Sequence, residues 1–136
     1  MVQTSLTRSS RPNPGRILIA EDDTFVRDFL EEVLQWSGYT TVRAVDGRDA
    51  LEMADKLEPF DLLLTDEIMP GMMGHELAEA LRKHEPNLKV LYLTGHRDRL
   101  MKEKGAALQE YEAVLEKPST AEALLAAVSA LLFDRR

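Results

Sequence analysis

The sequence predicts an α/β domain in which five parallel strands form one doubly wound sheet with helices on both faces. Three observations predict it. Short apolar runs of strand length alternate five times with segments of helical period. The middle run, Asp61–Thr65 (DLLLT), is almost continuously apolar, as a strand covered on both faces must be. The chemically informative residues all fall just past the C-terminal ends of these runs, where an open parallel sheet gathers its ligands.

Arg16–Ala20 (RILIA) reads as the first strand and ends in the acids Glu21, Asp22 and Asp23. Val26, Phe29, Leu30, Val33 and Leu34 follow at i, i+3, i+4, i+7 and i+8, so the first helix has one apolar face. Arg27, Asp28, Glu31, Glu32 and Gln35 fill its other face. Asp23 is its expected N-cap and Gly38 its C-terminal stop. Thr40–Ala44 (TTVRA) is a short strand rich in β-branched residues. Asp46-Gly47 turns into a second helix through Ala50, Leu51, Met53 and Ala54, which ends by Pro59. Asp61–Thr65 leads to Asp66 and the loop Met69-Pro70-Gly71. A third helix covers His75–His84. Val90–Leu93 is a buried strand ending at Thr94, and a weak helix covers Asp98–Lys104. Ala113–Leu115 is the last strand, followed by Lys117-Pro118. Ser119 opens the last helix, with Glu122 three residues on as a capping box. Its stripe is Leu124, Leu125, Val128, Leu131 and Leu132.

A chain of 136 residues, 44% hydrophobic and 30% charged, fits one domain with one core system. Residues 1–15 lack periodicity and read as a flexible N-terminal tail or linker, with the domain over 16–134. Without Cys, disulfides and thiolate metal sites are excluded. A formal net charge of −7 without a basic stripe argues against direct nucleic-acid binding. No apolar run approaches the roughly 18 residues that span a bilayer, and the N-terminus has no secretory pattern. A cytoplasmic protein is expected.

The strand ends carry the chemistry. Glu21 and Asp22 follow the first strand, Asp66 the third, Thr94 the fourth and Lys117 the fifth. Converging carboxylates repel: two at 4 Å cost roughly 4 kcal/mol at an effective dielectric of 20. A hard divalent cation removes that cost, and carboxylate oxygens with retained waters suit Mg²⁺. Lys117 and the Thr94 hydroxyl can each contact a phosphate oxygen. Asp66 remains as a nucleophile able to form an acyl phosphate. Singly, each residue has a plain structural reading, such as a helix cap or a turn. The joint arrangement carries the argument.

The segments ILIAEDD, LLLTDEIMPGMMG, LYLTGH and LEKP together resemble the receiver domain of two-component response regulators, over roughly residues 15–134. The resemblance implies a (βα)5, flavodoxin-like fold with strand order 2-1-3-4-5. It implies phosphoryl transfer onto Asp66 from a histidine kinase or a histidine phosphotransfer protein. Glu21 and Asp22 become the acidic pair, with Asp22 the direct metal ligand, and the backbone carbonyl of Ile68 a further ligand beside Asp66. Thr94 becomes the switch hydroxyl and Lys117 the phosphate contact.

Three features depart from the family pattern. Glu21 stands where Asp is commoner. Val114 occupies the position of an aromatic rotamer switch. Twelve positions, rather than seven, separate Gly105 from Lys117. Residues 96–112 are therefore expected to be rearranged and mobile, as in receivers attached to hybrid histidine kinases. At the rim, Ile68 is expected to shield the phosphoryl group while His96 tunes attack by water. With no output domain expected after the fifth helix, signalling should run through protein contact or feedback on a partner or attached kinase.

The expected role is a phosphoacceptor with at most slow self-phosphorylation and self-dephosphorylation, not an enzyme. One rival is a pseudo-receiver acting as an interaction scaffold, which has no need of Asp66, Thr94 and Lys117 together. Another is a Mg²⁺ phosphatase of the haloacid dehalogenase type. That class has a second Asp two residues after the first, where this chain has Ile68.

Overall fold

A computed structural model of the chain describes residues 15–104 and 111–133. Strands and helices alternate as β1 (Arg16–Ala20), α1 (Thr24–Trp36), β2 (Thr40–Ala44), α2 (Gly47–Lys56) and β3 (Leu62–Thr65). They continue as α3 (Gly74–Arg82), β4 (Lys89–Thr94), α4 (Arg97–Lys104), β5 (Glu112–Glu116) and α5 (Ala121–Phe133). The five strands form one sheet in the order β2-β1-β3-β4-β5, all neighbours parallel. The doubly wound fold and its strand order match the expectation. The expected tail up to residue 14, and residues 105–110 of the stretch expected to be mobile, lie outside the described residues. Gly15 already belongs to the folded unit, because its carbonyl accepts a hydrogen bond from Thr40 N.

Side chains alternate across the sheet and divide the core in two. Ile17, Ile19, Leu62, Leu64, Leu91 and Leu93 face α1 and α5, where Leu30, Leu34, Leu124 and Val128 meet them. Leu18, Ala20, Leu63, Val90 and Tyr92 face the other way, against Ala50 of α2, Leu77, Ala78 and Leu81 of α3, and Leu100 of α4. β3 is buried along its whole length, which is why its sequence shows no alternation. No helix among the described residues is long and apolar enough to cross a membrane.

Local signals explain most element boundaries. Asp23 Oδ1 accepts from Phe25 N and Val26 N, capping α1 as expected. Gly38 takes φ +97 just after α1, a left-handed conformation that an L side chain resists. α2 stops at Lys56, three residues before Pro59.

Three expectations need correction. Arg27 is buried rather than on the solvent face of α1, because its guanidinium turns back to the β1–α1 turn. Phe29 is 38% exposed rather than in the core. The cap of α5 is Thr120, whose Oγ1 accepts from Ala123 N, and not Ser119, whose hydroxyl donates to Thr120 O.

Leu64 sits at the centre of the α1/α5 core with no exposure. Leu64→Ala should cost about 2–5 kcal/mol through lost transfer energy and the cavity it leaves. Urea denaturation would read this as a lower midpoint with an unchanged slope.

Candidate functional site

The parallel sheet brings the C-terminal ends of β1, β3, β4 and β5 to one edge. Because β1 and β3 are adjacent, the turn after Ala20 and the turn after Thr65 face each other directly. Asp66 N donates to Ala20 O at 3.3 Å across this junction. β5 lies two strands from β3, and the long Lys117 side chain spans that gap.

Lys117 Nζ donates to Asp66 Oδ2 at 2.8 Å and to Glu21 Oε1 at 3.0 Å. Residues 96 positions apart thus meet in one hydrogen bond. The second oxygen of Glu21 accepts from Asp23 N at 3.0 Å. Asp66 Oδ1 accepts from Glu67 N at 2.6 Å and from Ile68 N at 3.3 Å. Both oxygens of the acceptor candidate are therefore held, one by the main chain and one by an ammonium.

Electrostatics follow from this packing. Burial pushes the Glu21 carboxyl above its ordinary value, against the hydrogen bonds from Asp23 N and Lys117. Burial alone would lower Lys117, but Asp66 and Glu21 outweigh it and hold the ammonium above its usual range. The lysine is therefore charged at neutral pH.

Glu21, Asp22 and Asp66 each offer a carboxylate oxygen, and these oxygens lie within 4.8 Å of one another. Asp22 is exposed while the other two are buried. Ile68 is half-buried, and its carbonyl accepts no hydrogen bond among the described residues. An all-oxygen donor set with one solvent-facing member fits a hard cation that keeps part of its water. Thr94 is fully buried at the end of β4, and its carbonyl accepts from Lys117 N at 3.0 Å. Its hydroxyl accepts from His96 N at 3.1 Å rather than reaching Asp66. Five of the expected residues thus meet at one centre or its rim, and Thr94 lies one hydrogen bond behind it.

A family model described as the response regulator receiver domain matches residues 17–129. The chain belongs to this family. Among curated relatives, the receiver is 45% identical to the response regulator receiver protein CpdR of Brucella abortus over 80 residues. That is 59% of this chain and 66% of CpdR. It is 38% identical over 117 residues to response regulator MprA of Mycobacterium ulcerans, covering 86% of this chain and 50% of MprA. The chain spans between one half and two thirds of the length of these relatives. A response regulator receiver protein from Sinorhizobium medicae superposes with a TM-score of 0.78 at 29% identity, covering 89% of this chain and 96% of that one. The receiver domain of the hybrid histidine kinase CckA gives 0.73 at 30%, covering 87% and 99%.

Sequence reasoning missed two features of this receiver's site. Arg27 Nη1 donates to the Glu21 carbonyl at 2.7 Å, anchoring the turn that presents Glu21 and Asp22. A buried Arg inside an amphipathic helix shows only as one charge among several, so no pattern marks it. Glu67 is also fully buried, and its carboxylate reaches His75 at the start of α3. The available signal was Met73 before the helix, where a capping oxygen is usual.

Removing the ammonium would leave Glu21 and Asp66 buried side by side. Lys117→Met should therefore cost about 3 kcal/mol of stability at neutral pH without divalent cation. Urea titration checks this, and combining it with Asp66→Asn should restore part of the loss.

Proposed function

We propose that this receiver accepts a phosphoryl group on Asp66 and signals through protein contact. The observation that carries the reading is the Lys117 ammonium shared between Asp66 and Glu21, at a centre where three carboxylates gather within 4.8 Å. A scaffold has no reason to concentrate that charge at a strand end, where its burial is costly.

The donor would be the phosphohistidine of a histidine kinase or phosphotransfer protein. An Asp66 oxygen attacks phosphorus, the N–P bond breaks as the O–P bond forms, and the imidazole leaves with the electron pair. Lys117 offers its ammonium to a phosphoryl oxygen, and the backbone N–H groups of Glu67 and Ile68 orient the carboxylate. Asp22, Asp66 and the Ile68 carbonyl would hold Mg²⁺ directly, with Glu21 supporting it through water. When bound, Mg²⁺ supplies charge neutralisation for the phosphoryl oxygens.

Phosphoryl charge would draw the Thr94 hydroxyl away from His96 N and bias the start of α4. Ile68 would shield the acyl phosphate, and exposed His96 would tune its hydrolysis. Val114, which pairs with Tyr92 across β4 and β5, offers no ring to move in behind Thr94. The signal would then pass through α4 to a partner protein or to an attached or separate kinase. The acidic surface gives no support to direct nucleic-acid contact. The function is a slow, self-limited modification rather than enzymatic turnover, and the setting is the cytoplasm.

Incubation with acetyl phosphate and Mg²⁺ should add one PO3H unit to the intact mass, and Asp66→Asn should abolish the gain. A pseudo-receiver would show no adduct, whereas a phosphatase would turn over many equivalents. His96→Ala should change the lifetime of the adduct; identical lifetimes for the two forms between about pH 6 and about pH 8 would remove His96 from the account.

A further inference from the structure

The residue after Asp66 is a glutamate with no exposed surface. A buried carboxylate costs several kcal/mol in order of magnitude unless it is paired and hydrogen-bonded. Glu67 is both. Its Oε1 accepts from His75 N at 2.8 Å, and its Oε2 lies 2.5 Å from His75 Nδ1. An acceptor carboxylate there keeps the imidazole proton on Nδ1. The His75 side chain is 21% exposed and that of Glu67 0%.

The pair answers a local need. α3 starts with Met73 at its cap, and a thioether is a poor acceptor for the orphan N–H groups of a first turn. Glu76 Oε1 accepts from Met73 N at 2.9 Å, which is half of a capping box. The other half comes from outside the helix: Glu67, at the end of β3, takes the His75 N–H. The negative charge also complements the helix N-terminus.

The same residue governs the acceptor. Glu67 N donates to Asp66 Oδ1 at 2.6 Å, and Glu67 O accepts from Gly74 N at 2.8 Å. Gly74 is obligatory here, because a Cβ would run into the Asp66 carbonyl oxygen. Side chain and main chain of Glu67 thus lock the end of β3 to the first turn of α3. The Glu67 carbonyl shares its peptide with Ile68 N, which donates to Asp66 Oδ1 at 3.3 Å, so the bond to Gly74 holds that donor, while the side-chain lock to His75 holds the Glu67 residue that carries the other.

We propose that Glu67 and His75 are a positioning pair, whose clamp fixes the Glu67 peptide and so aims the Asp66 carboxylate at the phosphoryl group. This rests on Asp66 being the acceptor. An apolar pair in the same place would fill the volume but could neither cap α3 nor hold the peptide. Burial and hydrogen bonding alone would explain a structural pair; the link to Asp66 Oδ1 makes it a positioning one.

The test compares phosphorylation by acetyl phosphate and Mg²⁺, read by intact mass, with stability in urea, for the full chain. Glu67→Leu combined with His75→Leu replaces the buried pair by apolar residues, which is commonly neutral or stabilising. The double variant should stay folded, its urea midpoint falling by no more than the loss of one helix cap, while its phosphorylation slows by about tenfold or more. A folded double variant with an unchanged rate would overturn the proposal, because a purely structural pair predicts that result. Should the double variant not fold, His75→Ala and His75→Gln decide. The glutamine amide can still donate to Glu67, so His75→Gln should recover rate that His75→Ala loses; equal rates overturn the idea. A wild-type chain that never gains the adduct overturns the acceptor reading and this inference together. Labelling of wild type and double variant at the same rate overturns the inference alone.

Discussion

The whole site depends on one constraint: negative charge brought together by the fold must be neutralised where it gathers. A parallel sheet places its strand ends along one edge, and here those ends carry Glu21, Asp22 and Asp66. The Lys117 ammonium bridges two of them at 2.8 and 3.0 Å, which offsets their mutual repulsion. That arrangement also explains a choice of residue. A glutamate at position 21 is long enough to meet Lys117 with one oxygen and the Asp23 backbone with the other. The extra methylene relative to aspartate thus serves the buried network and leaves Asp22 as the solvent-facing carboxylate.

The two core clusters hold this edge in place from opposite sides. α1 and α5 pack on one face of the sheet and α2, α3 and α4 on the other. The loop that carries Asp66 leaves β3 and enters α3 on the second face, the same face as Tyr92 and Leu100. A change at Asp66 is therefore mechanically closer to α3 and α4 than to α1. Burial raises the Tyr92 phenol well above its ordinary range, so it stays neutral in the layer beneath that loop. Val114 packs beside it from β5.

Much of this was legible in the sequence. Five strands, five helices, their order along the chain and the strand-end residues follow from periodicity and from turn chemistry, because β3 is apolar up to Thr65 and Gly38 and Asp23 mark helix ends. The boundaries shifted by a residue or two where hydrogen bonds rather than side-chain pattern decide them, as at Thr120. The losses share a physical cause. Arg27 and Glu67 are charges that the fold buries by giving them partners six and eight residues away across a turn, and a polar residue on an apparently exposed position carries no trace of such a partner. Phe29 failed in the opposite direction: its spacing suits the apolar face, but the rotation of α1 leaves it at the border with solvent. Residues 105–110 were expected to be rearranged, and they fall outside the described part of the chain.

The central claim is that Asp66, and no other group at this edge, takes the phosphoryl group. Borohydride reduces an acyl phosphate to the alcohol, so a chain treated with acetyl phosphate and Mg²⁺, then reduced and digested, carries a homoserine at the acceptor position. Sequencing the peptides by mass spectrometry should place that homoserine at residue 66 alone. 5-Hydroxynorvaline at position 21, homoserine at position 22, or an intact phosphate on Thr94 with residue 66 unchanged would contradict the account.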